Sequence, residues 1–582
     1  MQTVNITIND IKVSAIKGES ILEAAKRVGI KIPSLCFFNM CSLDILNRPA
    51  SCRVCMVEEV GGRKGGIVPA CATFVSEGMV VYTNSKRALD ARRTIVELML
   101  SDHPADCLAC DRNLTCELQE LASDLGIKEI RFPGEQTNLP MDNSSCSVRR
   151  DPNKCVLCRR CETMCSEVQS VGVLSAVNRG FPTTVGTAFD TPLMETQCTF
   201  CGQCVAVCPT GALTCAGDTH HVWDALIDPD KYVVVQIAPA VRTGLGEMFG
   251  LPPGENVTGK MVAALRQIGF NKVYDTSFTA DLTVMEESTE LINRLKTGEK
   301  LPLITSCCPA WIKFVEHQYP ERLEHPSTCK SPQQMFGVLA KTYLAEKLGV
   351  DPSKMVSVSV MPCLSKKYEA NRDENKHNGL ADVDYVLSTR EFGRMIKEAC
   401  ISFNALPDEG FDALMGESSG AGNIFGASGG VLEATLRTSY EMMTGKRLDK
   451  IDFEVLRGFN KGVKEATIEI NGATLKVAVA HELRNARRLL DDIIAGKSEY
   501  HVIEVMACPG GCIAGGGQPY HKASEEILEA RRKILYDEDA GKSLRRAHEN
   551  PDIKKLYDEF LGHPHSEKAH ELLHTGFVKR SI

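Results

Sequence analysis

Two runs of four cysteines with identical spacing lie in the first half of the chain. Each run has the pattern Cys-x₂-Cys-x₂-Cys-x₃-Cys, and the second is followed directly by Pro209. The iron corners of a cubane cluster lie close together, so thiolates spaced in this way can bind one cluster. Zinc knuckles and disulfide bonds are weaker interpretations of the doubled pattern, which favours two 4Fe–4S clusters. The predicted ligands are Cys155, Cys158, Cys161, Cys165, Cys198, Cys201, Cys204 and Cys208.

The doubled run resembles the bacterial two-cluster ferredoxins, in which the fourth cysteine of each run binds the other cluster. The resemblance implies a ferredoxin-like domain over residues 145–220. We therefore expect the protein to transfer electrons.

Composition limits the class of protein. A chain of 582 residues, 43% of them hydrophobic, is expected to form several domains. The net charge of −8 argues against nucleic acid as a partner. The N-terminus lacks the basic and apolar segments of an export signal, and no stretch approaches the roughly 18 apolar residues of a transmembrane helix. We expect a cytoplasmic protein whose 25 cysteines serve metal or redox chemistry.

The cysteines also mark a boundary in the chain. Eighteen lie at or before Cys215 and seven follow it, so a cofactor-rich N-terminal region precedes a large α/β region. The expected fold class is a multidomain combination of α+β and α/β units.

The first 82 residues have the pattern with which a β-grasp domain begins. Apolar residues alternate from Val4 to Ile8, a turn is expected at Asn9–Asp10 before a second short strand, and residues 19–28 favour a helix. The residues expected on one face of that helix are Ile21, Leu22, Ala25 and Val28.

Four cysteines of this first domain resemble a plant-type 2Fe–2S site. They are Cys36, Cys52, Cys55 and Cys71. Cys41 is an alternative to Cys36, which we favour because it directly follows the segment Ile-Pro-Ser-Leu that such domains place before the first ligand.

A mixed set follows in residues 83–122, namely His103, Cys107, Cys110 and Cys116. A zinc site of one histidine and three cysteines has compatible ligands. The cluster-binding segments on both sides favour a 4Fe–4S cluster, whose reduction potential an imidazole ligand would raise.

Three short cysteine motifs stand out beyond residue 222. They are Thr-Ser-Cys-Cys-Pro at 305–309, Met-Pro-Cys at 361–363 and Met-Ala-Cys-Pro-Gly-Gly-Cys at 506–512. Cys508 and Cys512 are spaced by about one helical turn, and Gly510 and Gly511 permit close approach of backbone to a cofactor.

In this order, the three motifs resemble the signature segments of iron-only ([FeFe]) hydrogenases. The resemblance covers essentially the whole chain and is strongest to the catalytic subunit of multimeric, NAD(P)-linked cytoplasmic hydrogenases. It implies an H-cluster, a 4Fe–4S cubane joined to a two-iron unit that carries CO, cyanide and an azadithiolate. The implied cubane ligands are Cys308, Cys363, Cys508 and Cys512, with Cys512 shared between the two parts.

The same resemblance implies a proton relay that begins at the thiol next to a ligand. The implied relay residues are Cys307, Glu287, Ser327, Glu290 and Arg294. Glu287 and Glu290 are spaced i, i+3 and so share one helical face. The alternatives are a plain buried thiol at Cys307 and a solvated acidic helix face.

Residues around the two-iron unit are implied in the same way. Lys366 should bind a cyanide, and the other pocket residues are Met361, Met506, Pro332, Gln333, Pro239 and Ala240. Ala240 replaces a serine that many family members carry, which removes one hydrogen-bond donor.

The apolar runs at residues 232–237 and 356–360 predict buried parallel strands, and residues 335–348 predict a helix. Because ligands bind at the carboxyl ends of strands in α/β folds, the cysteine motifs are well placed there. We expect a two-lobed catalytic domain over residues 222–518 and a helical tail, resembling a hydrogenase small subunit, over 519–582.

The resemblance implies an enzyme that interconverts H₂ with protons and electrons. An H₂ sensor and an iron–sulfur assembly protein of the same superfamily are the alternatives. The chain has no G-x-G-x-x-G dinucleotide fingerprint after a strand. NAD(P) chemistry would therefore belong to a flavin and iron–sulfur partner subunit, with a small iron–sulfur subunit and ferredoxin as further partners. A ferredoxin-only enzyme and a formate dehydrogenase complex stay open, and maturation factors are implied.

Overall fold

The computed structural model describes residues 2–40, 45–61, 65–448, 450–458, 462–470 and 473–581. Cys41, the alternative ligand, lies outside these residues.

The first domain is a five-stranded sheet with one helix packed on it. Its strand order is β2-β1-β5-β3-β4, with β1 and β5 parallel. The elements are β1 (Thr3–Ile8), β2 (Ile11–Ile16), α1 (Ile21–Arg27), β3 (Met56–Val60), β4 (Gly66–Pro69) and β5 (Val80–Tyr82). The Ser20 hydroxyl caps α1 by accepting from the Glu23 amide, so the predicted strand–strand–helix order is confirmed. The placement of Val28 on the buried face is wrong, because the helix ends before it and its side chain is 40% exposed.

Two helices lead from this sheet to the paired-cysteine region. They are α2 (Lys86–Asp102) and α3 (Glu117–Asp124), and His103 directly follows α2. The paired-cysteine region contains β6 (Val148–Arg150), α4 (Arg160–Thr163), β7 (Ser175–Val177), β8 (Thr184–Gly186), α5 (Gln203–Val207) and β9 (Leu213–Cys215). Strand β6 pairs with β9 and β7 with β8, both antiparallel.

The first lobe of the second half is built on a parallel sheet of order β11-β10-β13-β16. Its strands are β10 (Tyr232–Ile237), β11 (Lys272–Asp275), β13 (Met355–Met361) and β16 (Tyr385–Ser388). Helices α6 (Thr219–Ile227), α7 (Thr258–Ile268) and α13 (Thr389–Glu398) cover one face, and α8 (Thr276–Thr297) and α10 (Pro332–Leu339) the other. A π-helical turn joins α10 to α11 (Ala345–Leu348), so the predicted strands and helix are confirmed.

The second lobe is a sheet of order β12-β19-β18-β17, in which only the edge strand β17 runs antiparallel. Its strands are β12 (Leu303–Ile304), β17 (Val463–Ile470), β18 (Ala473–His481) and β19 (Val502–Met506). Helices α9 (Pro309–Gln318) and α16 (Leu483–Ile494) pack on one face and α15 (Gly430–Thr444) on the other. Helix α8 contributes to the cores of both lobes, through Phe278 and Leu291. The smaller elements of this half are α12 (Ser365–Ala370), β14 (Lys376–His377), β15 (Leu380–Ala381) and α14 (Gly420–Asn423).

The chain ends in three helices that pack against both lobes, as predicted for a helical tail. They are α17 (Glu525–Gly541), α18 (Pro551–Leu556) and α19 (Glu567–Leu573). Among the residues that the structure describes, no helix combines the length and the apolar character needed to cross a membrane.

Candidate cofactor sites and proton route

Four strand ends converge on one cavity between the two lobes. The segments that follow β10, β12, β13 and β19 all line it, because the carboxyl ends of these strands face each other. The cavity has a volume of about 720 Å³. It receives the thiols of Cys307, Cys308, Cys363, Cys508 and Cys512.

The donor set of this cavity fits an iron–sulfur cubane. Burial and the nearby Cys308 thiol raise the pKa of Cys363 to about 12. Burial and neighbouring thiols also raise the pKa values of Cys508 and Cys512. Buried thiolates need a compensating cation, and iron bound by four of them supplies it.

Cys508 and Cys512 face the same cavity, as their spacing of about one helical turn suggests, but the segment between them is not helical. Gly510 and Gly511 both have positive φ, of 73° and 100°, and fold this segment into a turn. A Cβ atom on Gly511 would lie 2.5 Å from the Ser428 amide nitrogen. The glycine is therefore needed for packing of backbone on backbone beside the cavity.

The rest of the cavity wall is mostly apolar and carries a few polar side chains. Its apolar part includes Ala238, Pro239, Ala240, Pro332, Met361, Phe425 and Met506. The polar side chains besides the thiols are Lys366, Gln333 and Thr276, and the buried Oε1 atom of Gln333 has no hydrogen-bond partner in the described part of the chain. The Lys366 ammonium lies 3.1 Å from the Cys307 carbonyl oxygen and 2.9 Å from a carboxylate oxygen of Glu369.

A route of acidic side chains leads away from Cys307. Burial raises the pKa of the Cys307 thiol, and the charge of nearby Glu287 raises it as well. The Ser327 hydroxyl interacts with Glu287 and donates to Oε2 of Glu290 at 2.7 Å. The Arg294 guanidinium lies 2.6 Å from the other oxygen of Glu290. The structure therefore brings all five predicted relay residues together.

Glu287 and Glu290 are both buried in α8, so the interpretation as a solvated acidic face is wrong. Glu287 is 2% exposed and Glu290 is 7% exposed. Burial and the charge of Glu290 raise the pKa of Glu287 to about 8. A carboxyl group with such a pKa can hold or release a proton near neutral pH.

The eight cysteines of the paired runs lie in two further cavities, each of about 440 Å³. Cys155, Cys158, Cys161 and Cys208 line the first, and Cys165, Cys198, Cys201 and Cys204 line the second. The fourth cysteine of each run thus lies with the first three of the other run, as in two-cluster ferredoxins.

The four cysteines of the first domain are also brought together. Cys36 interacts with Cys52 and Cys71, and Cys55 interacts with Cys71. The Cys36 amide donates to Sγ of Cys52 at 3.3 Å. All four are at most 4% exposed, and four such thiols fit a 2Fe–2S cluster.

The mixed set is closer to the surface. Cys107 is exposed, while Cys110 and Cys116 are partly buried and interact with each other. Burial and the charge of Lys154 lower the pKa of His103, which keeps the imidazole neutral, as a metal ligand must be. The loop of this set lies against residue 211, where a Cβ atom would lie 2.6 Å from Sγ of Cys110.

These sites are connected in a branched order. Buried Asn47 donates to the carbonyl oxygens of Cys36 (2.7 Å) and Cys158 (2.9 Å), which joins the first domain to the first ferredoxin cavity. The mixed set joins the same cavity through the Glu117 amide, which donates to the Pro209 carbonyl at 2.9 Å. The second ferredoxin cavity adjoins the catalytic cavity, because Gln203 donates to the Ala514 carbonyl at 3.0 Å.

Three residues near the relay are absent from the sequence prediction. Glu369 pairs with Lys366, and the i, i+3 spacing could have indicated it. The Thr435 hydroxyl lies 3.3 Å from Glu287, and Sγ of Cys329 lies 3.9 Å from Glu290. No local pattern marks these two, because their partners are more than 35 residues away in sequence.

Family models match consecutive parts of the chain. They are the 2Fe-2S iron-sulfur cluster binding domain (residues 1–86), the NADH-ubiquinone oxidoreductase-G iron-sulfur binding region (92–131), the 4Fe-4S dicluster domain (154–212), the iron only hydrogenase large subunit, C-terminal domain (231–516), and the iron hydrogenase small subunit (525–580).

Two similar proteins match nearly the whole chain, and a solved structure matches the larger part of it. The chain is 54% identical to the NADP-reducing hydrogenase subunit HndD of Solidesulfovibrio fructosivorans, over 100% of both chains. It is 39% identical to iron hydrogenase 1 of Clostridium pasteurianum, over 99% of this chain and 100% of the relative. A solved structure of the [FeFe]-hydrogenase HydA1 from Chlamydomonas reinhardtii matches with a TM-score of 0.57 and 41% identity, over 62% of this chain and 99% of that one.

Proposed function

The chain belongs to the iron-only hydrogenase family, and we propose the roles that its residues take in interconverting H₂ with two protons and two electrons. Cys308, Cys363, Cys508 and Cys512 would hold the cubane of an H-cluster, and Cys512 would also bind its two-iron unit. When bound, this cofactor supplies the redox centre at which H₂ is cleaved or formed. The observation that carries the proposal is the convergence of these thiols and Cys307 on one cavity from which a route of acids leads.

The chain's own contribution to the reaction is proton transfer. The Cys307 thiol gives its proton to a carboxylate oxygen of Glu287 and takes it back in the reverse reaction. The Ser327 hydroxyl interacts with Glu287 and donates to Glu290, so it would carry a proton between the two acids by taking one from protonated Glu287 as it gives its own to Glu290. Arg294 positions Glu290, because it also donates to the carbonyl oxygens of His325 (3.0 Å) and Pro326 (3.1 Å).

Other cavity residues would orient the cofactor and exclude water. Lys366 offers a buried cation to an anionic cofactor ligand, and Gln333 offers a polar contact beside it. Met361 and Met506, which are 3% and 2% exposed, would close the apolar side. Ala240 offers no hydroxyl donor at its position in that wall.

The accessory cofactors would be one 2Fe–2S cluster and three 4Fe–4S clusters. Cys36, Cys52, Cys55 and Cys71 would bind the first, and His103, Cys107, Cys110 and Cys116 one of the others. The two ferredoxin clusters would complete the route, one held by Cys155, Cys158, Cys161 and Cys208 and the other by Cys165, Cys198, Cys201 and Cys204.

Isotope exchange tests the catalytic proposal without any electron acceptor. The matured protein should catalyse exchange between D₂ and the protons of water, and protein made without maturation factors should not. Absence of exchange in protein that carries CO and cyanide infrared bands would contradict it.

We further propose that electrons pass to partner subunits in a cytoplasmic complex. The relative HndD is an NADP-reducing hydrogenase subunit, and the chain's surface-exposed Cys107 offers a point of contact. A flavin and iron–sulfur subunit that handles NAD(P), a small iron–sulfur subunit and ferredoxin are the partners we expect. Affinity purification from the native host, followed by H₂-dependent NAD(P) reduction, tests this, and isolation of an uncombined chain that reduces only ferredoxin would contradict it.

A further inference from the structure

Helix α9 connects the catalytic cavity to the second ferredoxin cavity. It begins directly after Cys308 and carries Lys313, whose side chain points away from solvent and is 3% exposed. The Lys313 ammonium donates to the Cys198 carbonyl oxygen at 2.7 Å. It also lies 4.5 Å from the ring centre of Phe200 and 5.1 Å from that of Tyr368.

This ammonium has no carboxylate partner within the described residues. Glu316, the acid about one turn further along α9, is already bound by Arg372 at 2.6 Å and by Arg580 at 2.8 Å. Glu374 interacts with the same two arginines. Three cations therefore face two carboxylates, and one positive charge is left over at Lys313.

The other buried lysines of the described ranges differ in this respect. Lys330 pairs with Asp382 at 2.8 Å, and Lys341 pairs with Asp384 at 2.7 Å. Lys154, Lys366 and Lys367 likewise have carboxylate partners. Since a buried charge must be paired to be tolerated, Lys313 needs an anion that the protein itself does not supply.

We propose that Lys313 is balanced by the negative charge of the 4Fe–4S cluster at Cys165, Cys198, Cys201 and Cys204, and that it raises the reduction potential of this cluster. The inference rests on the proposed ligand set. Reduction adds one electron to the cluster, and a fixed positive charge beside it stabilises the reduced state. This cluster is the accessory site that adjoins the catalytic cavity, so Lys313 tunes the last electron step before the H-cluster.

The test is an EPR-monitored redox titration of the complete matured chain. The signal of the cluster is assigned as the one lost or changed in Cys201→Ser. Lys313→Gln removes the charge but keeps a hydrogen-bond donor, and it should make reduction of this cluster about tenfold less favourable, about 59 mV for one electron. Lys313→Arg should restore the wild-type potential. The control Lys341→Gln changes a buried lysine that has its own carboxylate, and it should shift no cluster.

Each outcome decides a separate point. If Cys201→Ser leaves the iron content and all EPR signals unchanged, the ligand assignment fails and the inference fails with it. If the cluster is present and Lys313→Gln titrates at the wild-type potential, the inference alone is overturned. Should Lys313→Gln not fold, Lys313→Met keeps the apolar stem against Phe200 and provides the same measurement.

Discussion

Replacement of Glu287 by glutamine should slow turnover and also stabilise the fold. Burial and the charge of Glu290 raise the pKa of Glu287 from 4.5 to about 8 in the folded protein. Glutamine keeps the shape and the contacts to Thr435 and Ser327 but carries no transferable proton. Since a positioned acid or base contributes about 10²- to 10⁴-fold to a rate, we expect a loss of that size in H₂ evolution.

The stability change has a definite sign. Between pH 4.5 and about 8 the folded protein holds a proton on Glu287 that the unfolded chain has released. Folding stability therefore falls as the pH rises through this range and is unaffected by this group below it. At pH 7 the free energy of unfolding of the wild type should be about 3 kcal/mol lower, because of Glu287, than it is below the unfolded pKa. The loss is ~1.36 kcal/mol for each pH unit above that pKa. Glutamine avoids this cost.

The assay compares wild type and Glu287→Gln by urea unfolding at several pH values. Both tryptophans of the chain, Trp223 and Trp311, lie in the catalytic half, so fluorescence reports on it. The advantage of the variant should be present at pH 7 and vanish below about pH 4.5. Equal stability at pH 7, or near-normal H₂ evolution with intact infrared bands, would refute the reasoning.

Other variants distinguish the cluster ligands, the proton relay, the cluster through which electrons leave the chain, and the contact with the helical tail. Cys307→Ser should keep all clusters, about 20 iron atoms in the matured protein, while turnover falls by orders of magnitude, and near-normal turnover would exclude the relay role. Cys363→Ala should instead lose the cubane, which an unchanged iron content would contradict. His103→Cys should lower the reduction potential of one cluster and slow NAD(P)-linked H₂ oxidation more than dye-linked H₂ oxidation. If the variant changes both rates equally, electrons do not leave the chain through this cluster. Glu286→Gln should weaken the tail contact by about 1–3 kcal/mol and speed proteolysis of the tail, and an unchanged cleavage rate would speak against that anchor.

The strands and the grouping of thiols at their ends could be predicted from sequence. Unbroken apolar runs at β10 and β13 indicate strands buried on both faces, and cysteine motifs directly after β13 and β19 must then meet at one edge of the sheets. The doubled cysteine spacing is equally local, and its resemblance to two-cluster ferredoxins implies the exchange of Cys165 and Cys208 between cavities.

The turn between Cys508 and Cys512 could not be predicted from spacing alone. Four residues suit a helical turn, but two glycines with positive φ lie against the Ala427–Ser428 backbone, which comes from another part of the chain. Val28 shows the same limit on a smaller scale. Its apolar character fits the buried helix face, while its position after the last helical residue exposes it.

The acidic segment of α8 shows how tertiary partners assign different tasks to identical residues. Glu286 accepts hydrogen bonds from Tyr557 at 2.5 Å and from His574 at 3.1 Å, and despite burial these donors lower its pKa, so it stays ionised and anchors the tail. Glu287, one residue later, meets a thiol and a second acid instead, and its pKa rises to about 8. Glu290 is bound by Arg294. Because Glu286 joins the tail to the helix that carries both relay acids, loss of the tail should disturb proton transfer as well as stability.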